Sequence, residues 1–216
     1  MIMICVKVEF EEEVISSICI EGPNDCPSCL KEHIDLREIV DWQSQFNERW
    51  GERKKQDTAC LKTCKLILAK AGLSENSASP NDVYQVATQI PNVSVKDQKD
   101  QSKYLQINTE KAIKGLEYID EQLSLGYPIL VGVDYKYGSP NKDKVTDHFV
   151  VIVGRGCKED EVFYYFYEVG TEYPSSGKSD DNKLYLGDDN LLRGTPHYDS
   201  SKRKYIVSQI RMNVLP

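Results

Sequence analysis

Apolar and polar positions along this chain follow two regimes. Up to Gly126 the apolar residues recur mostly at helical spacing, and beyond it they form short continuous runs. Cys60, Cys64, Ile67, Leu68 and Ala71 fall at i, i+4, i+7, i+8 and i+11, one buried face of a helix. Asp57 or Thr58 is expected to cap its start and Gly72 to end it. Leu36, Ile39, Val40, Phe46 and Trp50 predict a second helix within 33–50. Ser79 and Pro80, followed by Val83, Val86, Ala87 and Ile90, predict a third that Pro91 terminates. Thr109, then Ile113, Leu116, Ile119 and Leu123, predict a fourth that stops at Gly126. Residues 92–108 read as a polar surface excursion.

After Gly126 four runs rich in Val, Ile, Tyr and Phe predict strands: 129–135, 148–153, 162–169 and 205–214. Leu184–Leu186 adds a short one, and the segments around 138–144 and 157–161 read as hairpin connections. Two alternating runs near the start, 5–10 and 14–20, predict strands, with a turn over 22–27. Helices followed by sequential strands imply an α+β fold, N-terminal helices packed on a mostly antiparallel C-terminal sheet. The expected division is an appendage over residues 1–32 and one domain over 33–216.

Composition narrows the function classes. Of 216 residues, 40% are hydrophobic and 28% charged, ordinary for a globular protein. A formal net charge of −7, with no basic stripe interleaved with aromatics, argues against a nucleic-acid partner. No apolar run is long enough to cross a bilayer, so no membrane partner is expected. Residues 1–20 lack signal-peptide character, because Glu9 and Glu11 to Glu13 break the apolar stretch. Cytoplasmic synthesis follows, with specialised export left open. Seven cysteines cannot all pair internally. Cys26, Cys29 and His33 offer three metal ligands, but without a second paired motif a disulfide or free thiols are the expectation, and neither metal nor cofactor. Cys5, Cys19 and Cys157 read as packing residues.

The chemistry gathers on few residues. Cys60 stands in the first turn of its helix, where free N–H groups and the positive dipole end favour a thiolate. Free cysteine is equally at home as a small buried hydrophobe, so this position alone proves little. The chain has three histidines, His33, His148 and His197. His148 opens the apolar strand Phe149–Val153, a rigid mount for a base that takes a thiol proton and returns it to a leaving group. Glu168 interrupts the next apolar run, and a buried carboxylate there needs a partner such as the imidazole. Gln56, four residues before Cys60, is the candidate oxyanion donor, together with the Cys60 backbone N–H. Cys64, one turn deeper, is the alternative nucleophile, and His197, in a Gly/Pro loop, the alternative base.

In the order Gly126-Tyr-Pro-Ile-Leu-Val-Gly-Val133, Asp147-His-Phe-Val-Val-Ile-Val-Gly154 and Tyr164-Tyr-Phe-Tyr-Glu168, the chain resembles papain-like cysteine peptidases of the bacteriocin-processing type. The resemblance covers roughly residues 56–170. It implies a papain-like fold and a thiol hydrolase with nucleophile, base and orienting acid on Cys60, His148 and Glu168. It departs where Leu61-Lys62 follow the cysteine in place of Gly-Pro, and where the acid is Glu rather than Asp. The substrate class implied is a peptide or peptidoglycan amide, and the analogy extends to delivered antibacterial effectors with an inhibitor or immunity partner. Two other readings use the same residues: an acyltransferase or transglutaminase, and a catalytically silent binding module.

Overall fold

The apolar runs after Gly126 fold into strands that are buried on both faces, which only a closed or doubly covered sheet allows. The computed structural model describes residues 33–77, 79–198 and 203–216, and the backbone of 5–6 and 18–19. In chain order the strands are β1 (Cys5–Val6), β2 (Ile18–Cys19), β3 (Ile34–Asp35), β4 (Val83–Gln85), β5 (Ala87–Gln89), β6 (Leu105–Ile107), β7 (Ile129–Asp134), β8 (His148–Lys158), β9 (Glu161–Tyr167), β10 (Lys183–Leu186), β11 (Leu192–Thr195) and β12 (Tyr205–Arg211). The helices are α1 (Arg53–Gln56), α2 (Cys60–Lys70), α3 (Gln101–Tyr104), α4 (Thr109–Ser124) and α5 (Pro174–Gly177).

Strands β7 to β12 pair antiparallel in sequence order, and β12 returns to pair with β7 as well as β11. The result is a closed six-stranded antiparallel barrel. Two further strands extend it: β4 pairs with β12 and β3 with β8. Helices α2 and α4 cover the outside of β7 and β8. Every residue of β7 and β12 is buried.

This architecture overturns the expected papain-like α+β fold with its N-terminal layer of helices. The described chain is mostly β, and of the four expected helices only α2 and α4 form. In 33–50 the helical spacing is a coincidence: Leu36 and Val40 are buried, but Ile39 is 72% exposed. The backbone instead joins the sheet, with Ile34 opposite Arg155 and the Leu36 N–H donating to the Val153 carbonyl at 2.8 Å. In 80–90 the spacing suits two strands equally well, and β12 offers an unpaired edge that β4 takes. Beyond it β5 pairs with β6, inside the stretch that reads as an irregular excursion.

Local signals explain the rest. Gly72 and Gly126, just past α2 and α4, have φ of 85° and 83°, the left-handed conformation that ends helices. Glu159 and Asp160, both at positive φ, make the two-residue turn that joins β8 to β9 and suits the twist of paired strands. Gly154 lets β3 approach, because a Cβ there would lie 2.5 Å from the Ile34 carbonyl oxygen.

Cys157, expected to be a packing residue, is disulfide-bonded, with its partner outside the residues whose side chains are described. The Cys26/Cys29 pair, the turn over 22–27, most of the two N-terminal runs and the remainder of the 1–32 appendage also lie outside the described residues. Among the described residues no helix is long and apolar enough to cross a membrane. No group of three or more His, Cys, Asp or Glu is arranged there to hold a metal.

Candidate active site

The site assembles where the start of α2 meets the first residue of β8. Helix α2 presses Thr63, Cys64, Ile67 and Leu68 against β7 and β8, so its first residue, Cys60, lands beside His148. The helix starts without a side-chain cap. Its N-cap is Ala59, while Thr58 Oγ1 donates to the Lys55 carbonyl and Asp57 pairs with Arg53. Neither expected cap residue therefore covers the first-turn N–H groups around Cys60.

Glu168 is the first residue past β9 and is fully buried. Its Oε1 lies 2.7 Å from His148 Nε2 and accepts the Gly170 N–H at 2.6 Å. Its Oε2 accepts the Tyr205 hydroxyl at 3.0 Å. The Glu168 backbone is held as well: its N–H donates to the Gly177 carbonyl at 3.0 Å, and its carbonyl accepts Trp42 Nε1 at 2.8 Å. Gly177 is required here, because a Cβ would come within 2.3 Å of the Trp42 ring. With Nε2 occupied by Glu168, His148 is left with Nδ1 for the Cys60 thiol.

The electrostatics follow from this chain of contacts. Burial opposes ionisation of Cys60, but the hydrogen bond and charge of His148, with backbone hydrogen bonds from Phe149 and Leu61, hold its pKa below the ordinary thiol value. Burial likewise disfavours the imidazolium, yet the Glu168 charge and the Cys60 contact raise His148 well above the ordinary histidine range. Burial pushes Glu168 up, and His148, Gly170 and Tyr205 together bring it below the usual carboxylate value. The three groups thus favour a thiolate beside an imidazolium backed by a carboxylate.

Cys64 is the opposite case. It is completely buried, and burial, followed by the charges of Cys60 and Glu168, pushes its thiol well above the ordinary value. His197 lies elsewhere, exposed, with Nδ1 3.0 Å from Asp181 Oδ2. His33 is exposed and meets Tyr165 edge-on.

Gln56 is not held for the oxyanion role. Its side-chain amide donates to the Gly51 carbonyl at 2.7 Å, which commits it to the loop before α1. The amide between the two halves of the site is Gln45, which sequence reasoning passed over. Gln45 is buried, its backbone N–H donates to the Val169 carbonyl at 2.9 Å, and its Nε2 reaches the Asp57 carbonyl at 3.4 Å. It ties the segment after Glu168 to the loop before Cys60. Trp42, Gly170 and Tyr205 also went unmarked. The one available signal was Tyr205, a tyrosine opening an apolar strand, because a buried phenol needs a partner for its hydroxyl.

A groove of about 880 Å³ runs between the α3–β6 segment and β11–β12. Tyr205 belongs to its lining, whereas Cys60 and His148 do not. Cys60 is half-buried and the His148 side chain is 12% exposed, whereas Glu168 is fully buried. No family model, curated protein or solved structure matches the chain.

Proposed function

We propose that the chain is a thiol hydrolase that cleaves amide bonds of peptides or peptidoglycan through an acyl-enzyme on Cys60. The observation that carries this reading is the continuous hydrogen-bonded arrangement from a thiol with a lowered pKa, through His148, to the buried Glu168. A structural cysteine gains nothing from such an arrangement, as Cys64 illustrates four residues away.

In the reaction, the Cys60 thiolate attacks the amide carbonyl carbon and the carbonyl oxygen takes the negative charge. The uncapped N–H groups at the start of α2 are oriented to receive a developing anion. His148 delivers its Nδ1 proton to the amine nitrogen as the C–N bond breaks, leaving a thioester on Cys60. His148, now neutral, takes a proton from water, which attacks the thioester. The acid product leaves and the thiolate–imidazolium pair returns. Glu168 holds the imidazole by Nε2 throughout, the role of an orienting carboxylate.

The test is mass spectrometry of the protein after incubation with peptides and with peptidoglycan stem peptides. Cleavage products and an acyl adduct on the tryptic peptide containing Cys60 are expected, and Cys60→Ala should abolish both while the fold persists. Undiminished cleavage by Cys60→Ala would overturn the assignment of the nucleophile.

A further inference from the structure

We infer that Tyr205 is a positioning residue for this site: its hydroxyl fixes the second oxygen of Glu168 and thereby the direction in which His148 faces Cys60. The inference rests on the thiol-hydrolase reading and adds to it a group from the strand that closes the barrel.

A carboxylate held through one oxygen can still turn about its terminal torsion, which is broad and two-fold. Glu168 is not free to do so. Oε1 is pinned by His148 Nε2 and the Gly170 N–H, and Oε2 by the Tyr205 hydroxyl at 3.0 Å. Fixing both oxygens fixes the plane of the carboxylate, and with it the line along which the imidazole is held. Tyr205 itself cannot swing away. It is completely buried, and its ring lies 6.1 Å from His148, 6.0 Å from Tyr135 and 6.1 Å from Phe166, centroid to centroid. Its backbone is pinned between Gly194 of β11 and the Ile206–Asp134 pairing to β7.

The hydroxyl also remains a donor. Burial, reinforced by the charges of Glu168 and Tyr198, pushes ionisation of the phenol well above its ordinary value, and Arg203 opposes this only as the smallest contribution. Gly170 completes the arrangement from the other side: a Cβ there would meet Glu168 Oε1 at 2.8 Å, the Tyr198 hydroxyl at 3.2 Å and His148 Cε1 at 3.4 Å.

The test is Tyr205→Phe in the full chain, read by the pH dependence of iodoacetamide alkylation at Cys60. The variant keeps the ring and removes one charge-assisted hydrogen bond. Alkylation at pH 6 should fall about tenfold, with the midpoint moved to higher pH. A tyrosine that only packs would lower the melting temperature and leave the alkylation profile of the folded protein unmoved, and that result overturns the inference while sparing the thiol-hydrolase reading. If wild-type Cys60 itself alkylates like an ordinary thiol, that reading fails and the inference falls with it. Should Tyr205→Phe not fold, 4-aminophenylalanine at position 205 keeps a donor in place and 4-methylphenylalanine fills the same space without one. The first should keep the wild-type alkylation profile and the second should move the midpoint to higher pH, and identical profiles for the two overturn the inference.

Discussion

Replacing Glu168 with Gln tests whether a charge, rather than a shape, arms the thiol. The change keeps the side-chain outline, and a glutamine oxygen can still accept from His148 Nε2 and the Gly170 N–H. What disappears is the negative charge beside the imidazolium. For charge centres about 4 Å apart at an effective dielectric near 20, the attraction is about 4 kcal/mol, an upper bound of about a thousandfold on the thiolate–imidazolium population. The cost of burying that charge disappears with it, so stability should change by only about 1–2 kcal/mol. The assay is the rate of alkylation at pH 6, followed on the tryptic peptide that carries Cys60. Trypsin cuts at Lys62, so Cys60 and Cys64 separate and Cys64 serves as an internal control. The rate at Cys60 should fall between about tenfold and about a thousandfold, while Cys64 stays inert. A rate within about a factor of two of wild type, in a folded variant, would show that Glu168 only fills space.

Two further outcomes follow. Asp134 is 1% exposed, and burial, opposed by hydrogen bonds from Gln101 and Tyr104 and aided by the charges of Asp147 and Asp143, pushes its pKa up to about 7. A carboxyl raised in the fold binds a proton that the unfolded chain has already lost, so stability falls as pH rises from about 4 to about 7 and is flat above. Asp134→Asn should therefore gain stability relative to wild type across that window, by at most about 4 kcal/mol, and thermal melts from pH 4 to pH 8 that stay parallel would refute the assignment. His148→Ala should reduce turnover about as severely as Cys60→Ala, because coupled groups act as a unit, whereas His197→Ala should leave kcat unchanged; the reverse pattern in steady-state kinetics would move the base to His197.

The parts of the site legible in the sequence are those that sit at element ends with chemistry of their own. Cys60 at a helix start, His148 at a strand start and Glu168 breaking an apolar run stand out because each residue type is costly or unusual where it lies, and the fold brings all three together. Gln56 stood out only by its closeness in sequence, and its amide is spent on Gly51. Gln45 and Tyr205 reach the site through tertiary pairing, at the Val169 carbonyl and at Glu168 Oε2, which no local pattern encodes.

The barrel was hidden for a similar reason. Runs as apolar as Phe149–Val153 identify β8, but β11 reads Leu-Arg-Gly-Thr, with a single apolar residue. Closure depends on β12 bonding β11 just before it and also β7, far back in the sequence. The false helices at 33–50 and 80–90 arose because i, i+3 and i+4 apolar spacings also occur in short strands joined by turns. The backbone then goes wherever an open strand edge will bond it.

Closure of the barrel by β12 also sets an order of events during synthesis. Cys60, His148 and Glu168 all precede residue 205, and hairpins β7–β8 and β8–β9 can pair as soon as they emerge. Until β12 arrives, however, β7 presents an open edge and Glu168 lacks the donor on its second oxygen. A nascent chain therefore carries Cys60, His148 and Glu168 before it carries the strand that closes the barrel. The wall is closed last by the seven residues Tyr205–Arg211, after the segments that carry Cys60, His148 and Glu168 have been translated.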